Sequence, residues 1–368
     1  MGGAEAFVCN AVKGHLEKNH INVQVLFFSP GHAVNLCHES GIATHVLPMS
    51  FKMRRPLQLL KVLVYIRKFI KLHNIQIVHS TMPYAHIITF FSTLFLKITR
   101  IWFQHGPVGG PLDHIANFLP VDKIFFNSLY LQKEHLKMPF ASRNLKKHKI
   151  IKLGIPQENL NQEKISEIVQ KYKTDKILLM SAGRICSWKG FHLIIEAIAL
   201  LLKEQENLRD RIEYIILGDY TREKDKAYFH QLEKLINHYE LKQNIHLLGK
   251  VFDLHHYYCA ADIFIHASTI PEPFGLVVAE SMKNNCFVIG SNQGGIADIL
   301  VHQQSGISFN PTINNPAKDL CQYLSQAIHL YKNEPATFQR MKATAKNKID
   351  KDYSIQQMIN ALEKEYLK

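Results

Sequence analysis

Glu272 and Glu280 stand eight positions apart across the segment Pro271-Glu272-Pro273-Phe274-Gly275-Leu276, a loop that runs into the start of a helix. Each carboxylate can accept from a pair of vicinal hydroxyls, so a sugar and a ribose are suitable guests. Gly275 lets the backbone approach a ligand closely, and the N–H groups of Phe274, Gly275 and Leu276 at the helix N-terminus can donate to hydroxyls or to an anion. Earlier in the chain, Arg184 and Lys189 lie between an apolar run and a helix that starts near Gly190. Cations beside a helix N-terminus suit a diphosphate, because the dipole and the side chains favour the same charge. Gly294-Gly295, just ahead of Ile296, form a second flexible turn before a short helix. His105 closes an apolar run and is followed by a Gly- and Pro-rich turn. It is either a core histidine or a group that meets ligand at a strand end.

Such residues need strand ends and helix starts to hold them. Apolar, β-branched runs alternate with segments of helical period along the whole chain, the pattern of parallel sheets wrapped by helices. In the first half the pattern predicts strands at 23–29, 44–47, 75–79, 100–104, 123–127 and 149–153, with helices near 4–18, 57–73, 84–97 and 129–137. The second half predicts strands at 177–182, 212–217, 245–248, 262–266, 286–290 and 306–309. Helices near 190–206, 225–239, 253–260, 275–284, 317–332, 336–347 and 354–366 accompany them. The expected class is α/β: two Rossmann-like, doubly wound domains facing a cleft, with ligand at the carboxyl ends of the strands. The expected boundaries are 1–156, 157–350 and a final helix at 351–368 that crosses back to the first domain.

The 368 residues are long for one core and fit two domains. Six scattered cysteines, with no paired spacing and no histidine at ligand distance, argue against a zinc site or a disulfide framework and favour a reducing cytoplasm. No run is long and apolar enough for a membrane span, and the opening residues lack a signal-peptide pattern. Charge is uneven. Residues 1–170 carry 20 Lys and Arg against 9 Asp and Glu, whereas residues 171–368 carry 24 against 22. An excess confined to the first half points to an anionic partner there, such as nucleic acid, a membrane surface or an acidic glycolipid.

The segment from Glu272 to Glu280 resembles the E-x7-E motif of retaining glycosyltransferase family 4, which has the GT-B fold. The likeness extends through AGRICSWKGFHLIIEAIALL, YIILGD, NIHLLGKV, YYCAADIFIHAS, EPFGLVVAESM and SNQGGIADIL, in the family's order across the whole second half. It implies that Glu272 and the adjacent amides hold the donor sugar, that Glu280 holds the nucleotide ribose, and that Gly294-Gly295 face the donor diphosphate. Arg184 and Lys189 then neutralise the leaving diphosphate, where charge grows as the glycosidic bond breaks. The resemblance also places His105 near the reacting sugar, and the amides of Gly2 and Gly3, in the opening Gly2-Gly3-Ala4-Glu5, near donor phosphate or acceptor. Where the family often has Asn-Gly before Val or Ile, this chain has Leu153-Gly154-Ile155-Pro156, so an Asn contact is absent.

The implied activity is a retaining, hexosyltransferase-like transfer from a nucleotide-diphosphate sugar to a glycan or lipid-linked acceptor, in cell-surface polysaccharide or lipopolysaccharide synthesis. No cofactor and no metal are expected, since the cations carry the charge, and nucleic acid is not expected as a partner. A cytoplasmic protein, peripheral at the inner face of an anionic membrane surface, is expected from the basic, apolar stretch 51–71. Two rival readings stand beside it: a nucleotide-sugar 2-epimerase of the same fold, and a non-catalytic nucleotide-sugar-binding subunit. A Gly-rich loop normally follows a strand, so an N-terminally shortened chain is expected, with the first strand of the first domain lost ahead of Gly2.

Overall fold

The computed structural model describes residues 2–18 and 21–367. The expectation about what stands ahead of Gly2 therefore concerns residues outside the described ones. The chain divides into two compact units, 1–156 together with 352–368, and 157–351.

The first unit opens with α1 (Gly3–Lys18), β1 (Gln24–Phe27), α2 (His32–Glu39) and β2 (Ala43–Val46). It continues through α3 (Pro56–Leu72), β3 (Ile77–Thr81), α4 (Pro83–Ser92), β4 (Thr99–Gln104), α5 (Pro111–Phe118), β5 (Lys123–Phe126), α6 (Leu129–Leu136) and β6 (His148–Ile150). All pairings are parallel, but they form two sheets, β1-β2 and β3-β4-β5-β6. Both sheets share one layer, because the same helices cover them. On one face Phe7 of α1 meets His79 of β3 and Phe103 of β4 at ring distances of 5.7 and 4.7 Å, while Val8, Cys9 and Val12 pack against Val25 and Phe27 of β1. On the other face Val62, Ile66 and Ile70 of α3 share a cluster with Leu26 and Val78. β1 and β3 thus each keep one edge that pairs with no described strand.

An unpaired edge leaves amides without ladder bonds. Amides of β1 and β3 turned away from β2 and β4 are expected to exchange with solvent on the order of a hundredfold faster than those of β4, which is paired on both sides. Hydrogen-exchange mass spectrometry resolved to single amides checks this, and equal protection in β3 and β4 would contradict it.

The second unit comprises α7 (Gln162–Tyr172), β7 (Ile177–Ala182), α8 (Phe191–Glu204), β8 (Ile212–Leu217), α9 (Lys226–His238) and β9 (Ile245–Gly249). There follow α10 (Leu254–Ala260), β10 (Ile263–His266), α11 (Leu276–Lys283), β11 (Phe287–Ser291), α12 (Ile296–Ile299), β12 (Ile307–Phe309), α13 (Pro316–Asn333) and α14 (Pro335–Asp352). Its single parallel sheet has the order β12-β11-β10-β7-β8-β9, so the winding reverses between β7 and β10. Strands of such a sheet are covered on both faces, which explains the unbroken apolar run Ile177-Leu178-Leu179-Met180. The one acid within β8, Glu213, is held by Lys176 at 2.5 Å and His246 at 2.7 Å.

The chain ends in α15 (Ile355–Tyr366), capped by the Ser354 hydroxyl, which accepts from the Gln357 N–H. This helix belongs to the first unit and packs on α1, where Lys18 pairs with Glu363 at 3.0 Å. The helix expected over 84–97 stops at Ser92, and the chain turns sharply at Phe95, whose φ is 62°. α2 and α5, of eight residues each, are too short for their period to stand out between glycines and prolines. His256 on α10 is buried, and its Nε2 accepts from the Asn161 N–H at 3.0 Å.

Candidate active site

In the second unit the chemistry gathers at the carboxyl ends of β7, β10 and β11, beside the reversal of winding, where side chains leave the sheet and helices begin. Glu272 is the centre. Its Oε1 accepts from Lys189 Nζ at 2.6 Å, from His266 Nε2 at 2.7 Å and from Ser268 Oγ at 2.6 Å. The His266 ring is set by the Ser291 hydroxyl, 3.3 Å from Nδ1, which fits a proton on Nε2. Burial alone would raise the Glu272 pKa, but the Lys189 charge and the His266 contact outweigh it and hold the carboxyl well below the usual range. Glu272 is therefore a well-solvated anion in a dry place, with little nucleophilic character.

Lys189 ends a short 3-10 turn (Ser187–Lys189), and Arg184 stands on the approach to it from β7. The indole of Trp188 holds both cations: Lys189 Nζ lies 4.8 Å and the Arg184 guanidinium carbon 5.9 Å from its ring centre. Arg184 Nε is buried with no hydrogen-bond partner in the protein. A buried cationic donor without an acceptor is costly, and an anion arriving there would relieve it.

Gly294 makes the second turn fit the first. It has φ +68°, and a Cβ there would lie 2.2 Å from the Glu272 carbonyl oxygen. The Gly295 N–H donates to that same carbonyl at 2.8 Å. Gly294 and Gly295 thus hold the loop that carries Glu272, Phe274, Gly275 and Leu276. Gly275, at φ +95°, precedes the first residue of α11, Leu276.

Glu280 lies one turn further along α11 and accepts from the Tyr258 hydroxyl at 3.3 Å. Burial pushes its pKa up to about 7, the Tyr258 bond opposes this and the nearby Glu158 adds to it. The two glutamates thus differ in state: Glu272 is firmly ionised, and Glu280 is poised to gain or lose a proton near neutrality.

His105, Gly2 and Gly3 belong to the first unit. The His105 ring sits between Phe103 and Phe7, with centroids at 4.0 and 4.6 Å, and neither ring nitrogen has a hydrogen-bond partner in the protein. Burial, helped by His79, pushes its pKa down to about 3, so the ring is neutral at any physiological pH. The Gly2 N–H donates to the Glu5 carboxylate at 2.7 Å and Gly3 opens α1, so the Gly-rich opening is a helix start. Sequence reasoning missed His266, Ser268, Trp188 and Tyr258. The signal for the first two was present, since polar residues closing the apolar run Ile263-Phe264-Ile265 fall at a strand's carboxyl end, but Tyr258 on α10 gave none.

Residues 161–348, just over half of the chain, match the family of glycosyl transferases group 1. The chain belongs to that family. Residues 1–147 match glycosyltransferase family 4. Among the relatives of this chain, the GPI3 subunit of the phosphatidylinositol N-acetylglucosaminyltransferase of Saccharomyces cerevisiae is 26% identical over 170 residues, 45% of this chain and 34% of that protein. The lipopolysaccharide 1,2-N-acetylglucosaminetransferase of Salmonella typhimurium is 30% identical over 155 residues, 41% of this chain and 38% of that protein. The match thus spans little more than a third of each. A glycosyltransferase of Rickettsia africae superposes with a TM-score of 0.84 at 20% identity, covering 99% of this chain and 94% of that one. Anabaena HepE, solved with UDP, superposes at 0.83 and 18% identity, covering 99% and 96%. At these identities the likeness establishes the fold, GT-B with two Rossmann-like domains. No helix among the described residues is long and apolar enough to cross a membrane.

Proposed function

We propose that this chain is a retaining glycosyltransferase that moves a hexose from a nucleotide-diphosphate sugar to a glycan or lipid-linked acceptor, with the second unit taking the donor and the first the acceptor. The observation that carries the reading is the three-donor clasp on Glu272 beside the unpartnered Nε of Arg184. In the proposed step the bond from the anomeric carbon to the diphosphate oxygen breaks, the acceptor oxygen bonds to that carbon from the same face, and its proton passes to the departing diphosphate. Arg184 and Lys189 neutralise the charge that grows on the phosphate, in place of a metal ion. The low basicity of Glu272 supports same-face attack, because a carboxylate held by three donors is a poor nucleophile. It holds the sugar, Glu280 holds the ribose hydroxyls, and neutral His105 can donate to the reacting sugar. HepE was solved with UDP and with UDP-glucose, which makes UDP-sugars the first donors to try. The names of the GPI3 and lipopolysaccharide relatives favour an acceptor in glycolipid or polysaccharide synthesis; a cytoplasmic, membrane-peripheral location is part of the same proposal.

The test combines a donor panel with pH. A UDP-, GDP- or ADP-sugar is expected to raise the melting temperature and to yield a product that keeps the anomeric configuration; an epimerised free donor, or binding without turnover, would overturn the reading. An ionised Glu280 accepts from two hydroxyls, a protonated one from fewer. Nucleotide affinity should therefore fall, by up to about tenfold per pH unit, as pH drops below the Glu280 value of about 7. Calorimetric titration of Glu280→Gln should lose that slope.

A further inference from the structure

Residues 40–112 contain nine Lys and Arg and no Asp or Glu. At their centre is α3, whose inward face is fixed by Val62, Ile66 and Ile70. At 3.6 residues per turn the opposite face carries Leu57, Leu60, Lys61, Val64, Lys68 and Lys71. A helix that faces only water keeps that face polar. Here Leu57, Leu60 and Val64 are 77, 58 and 44% exposed, and Leu72 at the helix end is 77% exposed. Lys61, Lys68 and Lys71 alternate with them, and Lys52, Arg54 and Arg55 are exposed just before the helix. Arg67 is excluded from this surface. Its guanidinium is spent on the carbonyls of Leu94 at 2.7 Å and Ser92 at 3.3 Å, which ties the end of α4 beside α3. That tie brings up Phe91 and Phe95, 43 and 97% exposed.

We propose that this face of the first unit docks on an anionic lipid bilayer, with Leu57, Leu60, Val64 and Phe95 among the headgroups and Lys61, Lys68 and Lys71 on the lipid phosphates. The charge argues for the occupant: the patch is apolar and cationic together, with no acid in the surrounding stretch to neutralise it. A basic amphipathic helix lying in the plane of an interface has this pattern. A nucleic acid would use the cations but gain nothing from the leucines. Docking deepens the proposed function, in which the acceptor is lipid-linked, yet it is measurable without any donor.

The experiment sediments the full chain with phosphatidylcholine vesicles and with vesicles that also contain phosphatidylserine. Binding should require the anionic lipid and weaken as salt rises. Lys61→Glu/Lys68→Glu/Lys71→Glu should weaken partitioning by at least about a hundredfold, the product of roughly fivefold per cation at the surface. Leu57→Ser/Val64→Ser, both solvent-facing and outside the core, should weaken it while keeping the wild-type melting temperature. Nucleotide binding in solution should stay unchanged in both variants, so a failed donor assay and a failed vesicle assay are separate results. Equal binding to neutral and anionic vesicles, wild-type binding by the charge-reversed variant, or retention on RNA with no vesicle binding would each overturn the proposal.

Discussion

Lys189→Ala is expected to lower turnover by roughly thirtyfold to a thousandfold, the about 2–4 kcal/mol that goes with removing a preorganised charge donor from a developing anion. The geometry sharpens the expectation. Lys189 brings the ammonium among the three donors on Glu272 Oε1, so its loss also leaves a buried carboxylate with weaker compensation. A fall in melting temperature would then accompany the fall in rate. Arg184 separates the two effects, because its Nε has no partner to abandon. Arg184→Gln should therefore lose turnover on the same scale while keeping the wild-type melting temperature. Steady-state kinetics with any active donor, set beside a thermal melt, reads both. Near-wild-type turnover in either variant would sink the assignment of these cations to the diphosphate.

The strand-end logic of the second unit was readable because its signals are local. β7 is an apolar run, Arg184 and Lys189 follow it, and Glu272 and Glu280 bracket a helix start, so spacing set them at a strand end and a helix start while the family resemblance supplied their expected roles. What was hidden is what depends on contacts across sequence. The ion pair of Lys189 with Glu272 spans 83 positions, and no periodicity predicts that two candidate residues meet each other. The raised pKa of Glu280 arises from burial on α11 and from Glu158, a residue that carried no motif. Likewise the split of the first unit's strands into two sheets is a pairing fact, while the strands themselves show plainly as apolar runs. In α3 the pattern showed a basic amphipathic helix, but only packing revealed that Arg67 points away from the others.

Acidification should unfold the first unit before the second. Its core holds His86, His135 and His148 around Trp102: the His86 ring lies parallel to the indole at 5.4 Å, His135 meets it at the same distance, and His148 is 5.2 Å from His135. None of the six ring nitrogens has a hydrogen-bond partner in the protein. Burial pushes each pKa down from 6.5 to about 4, with Arg100 adding to the effect at His86 and His148 at His135. Folded values below unfolded ones mean that between pH 6.5 and about 4 the unfolded chain binds more protons, so stability falls as pH falls through that window. At a pH near 5 each histidine then costs roughly 2 kcal/mol relative to alkaline solution, and three together approach the whole stability of an ordinary domain. In the second unit Glu280 acts in the opposite sense. Its folded pKa lies above the usual value, so the folded state binds the proton first and gains stability as pH falls through about 7. Glu272, held well below the usual range, gives up its contribution only in stronger acid. The two tryptophans of the chain, Trp102 in the first unit and Trp188 in the second, allow the units to be followed apart. In Trp188→Phe, urea unfolding read by Trp102 fluorescence should shift to much lower urea between pH 8 and about 5, and His86→Phe should reduce that shift. A first-unit midpoint that does not move with pH would show that these histidines are not held neutral by the core.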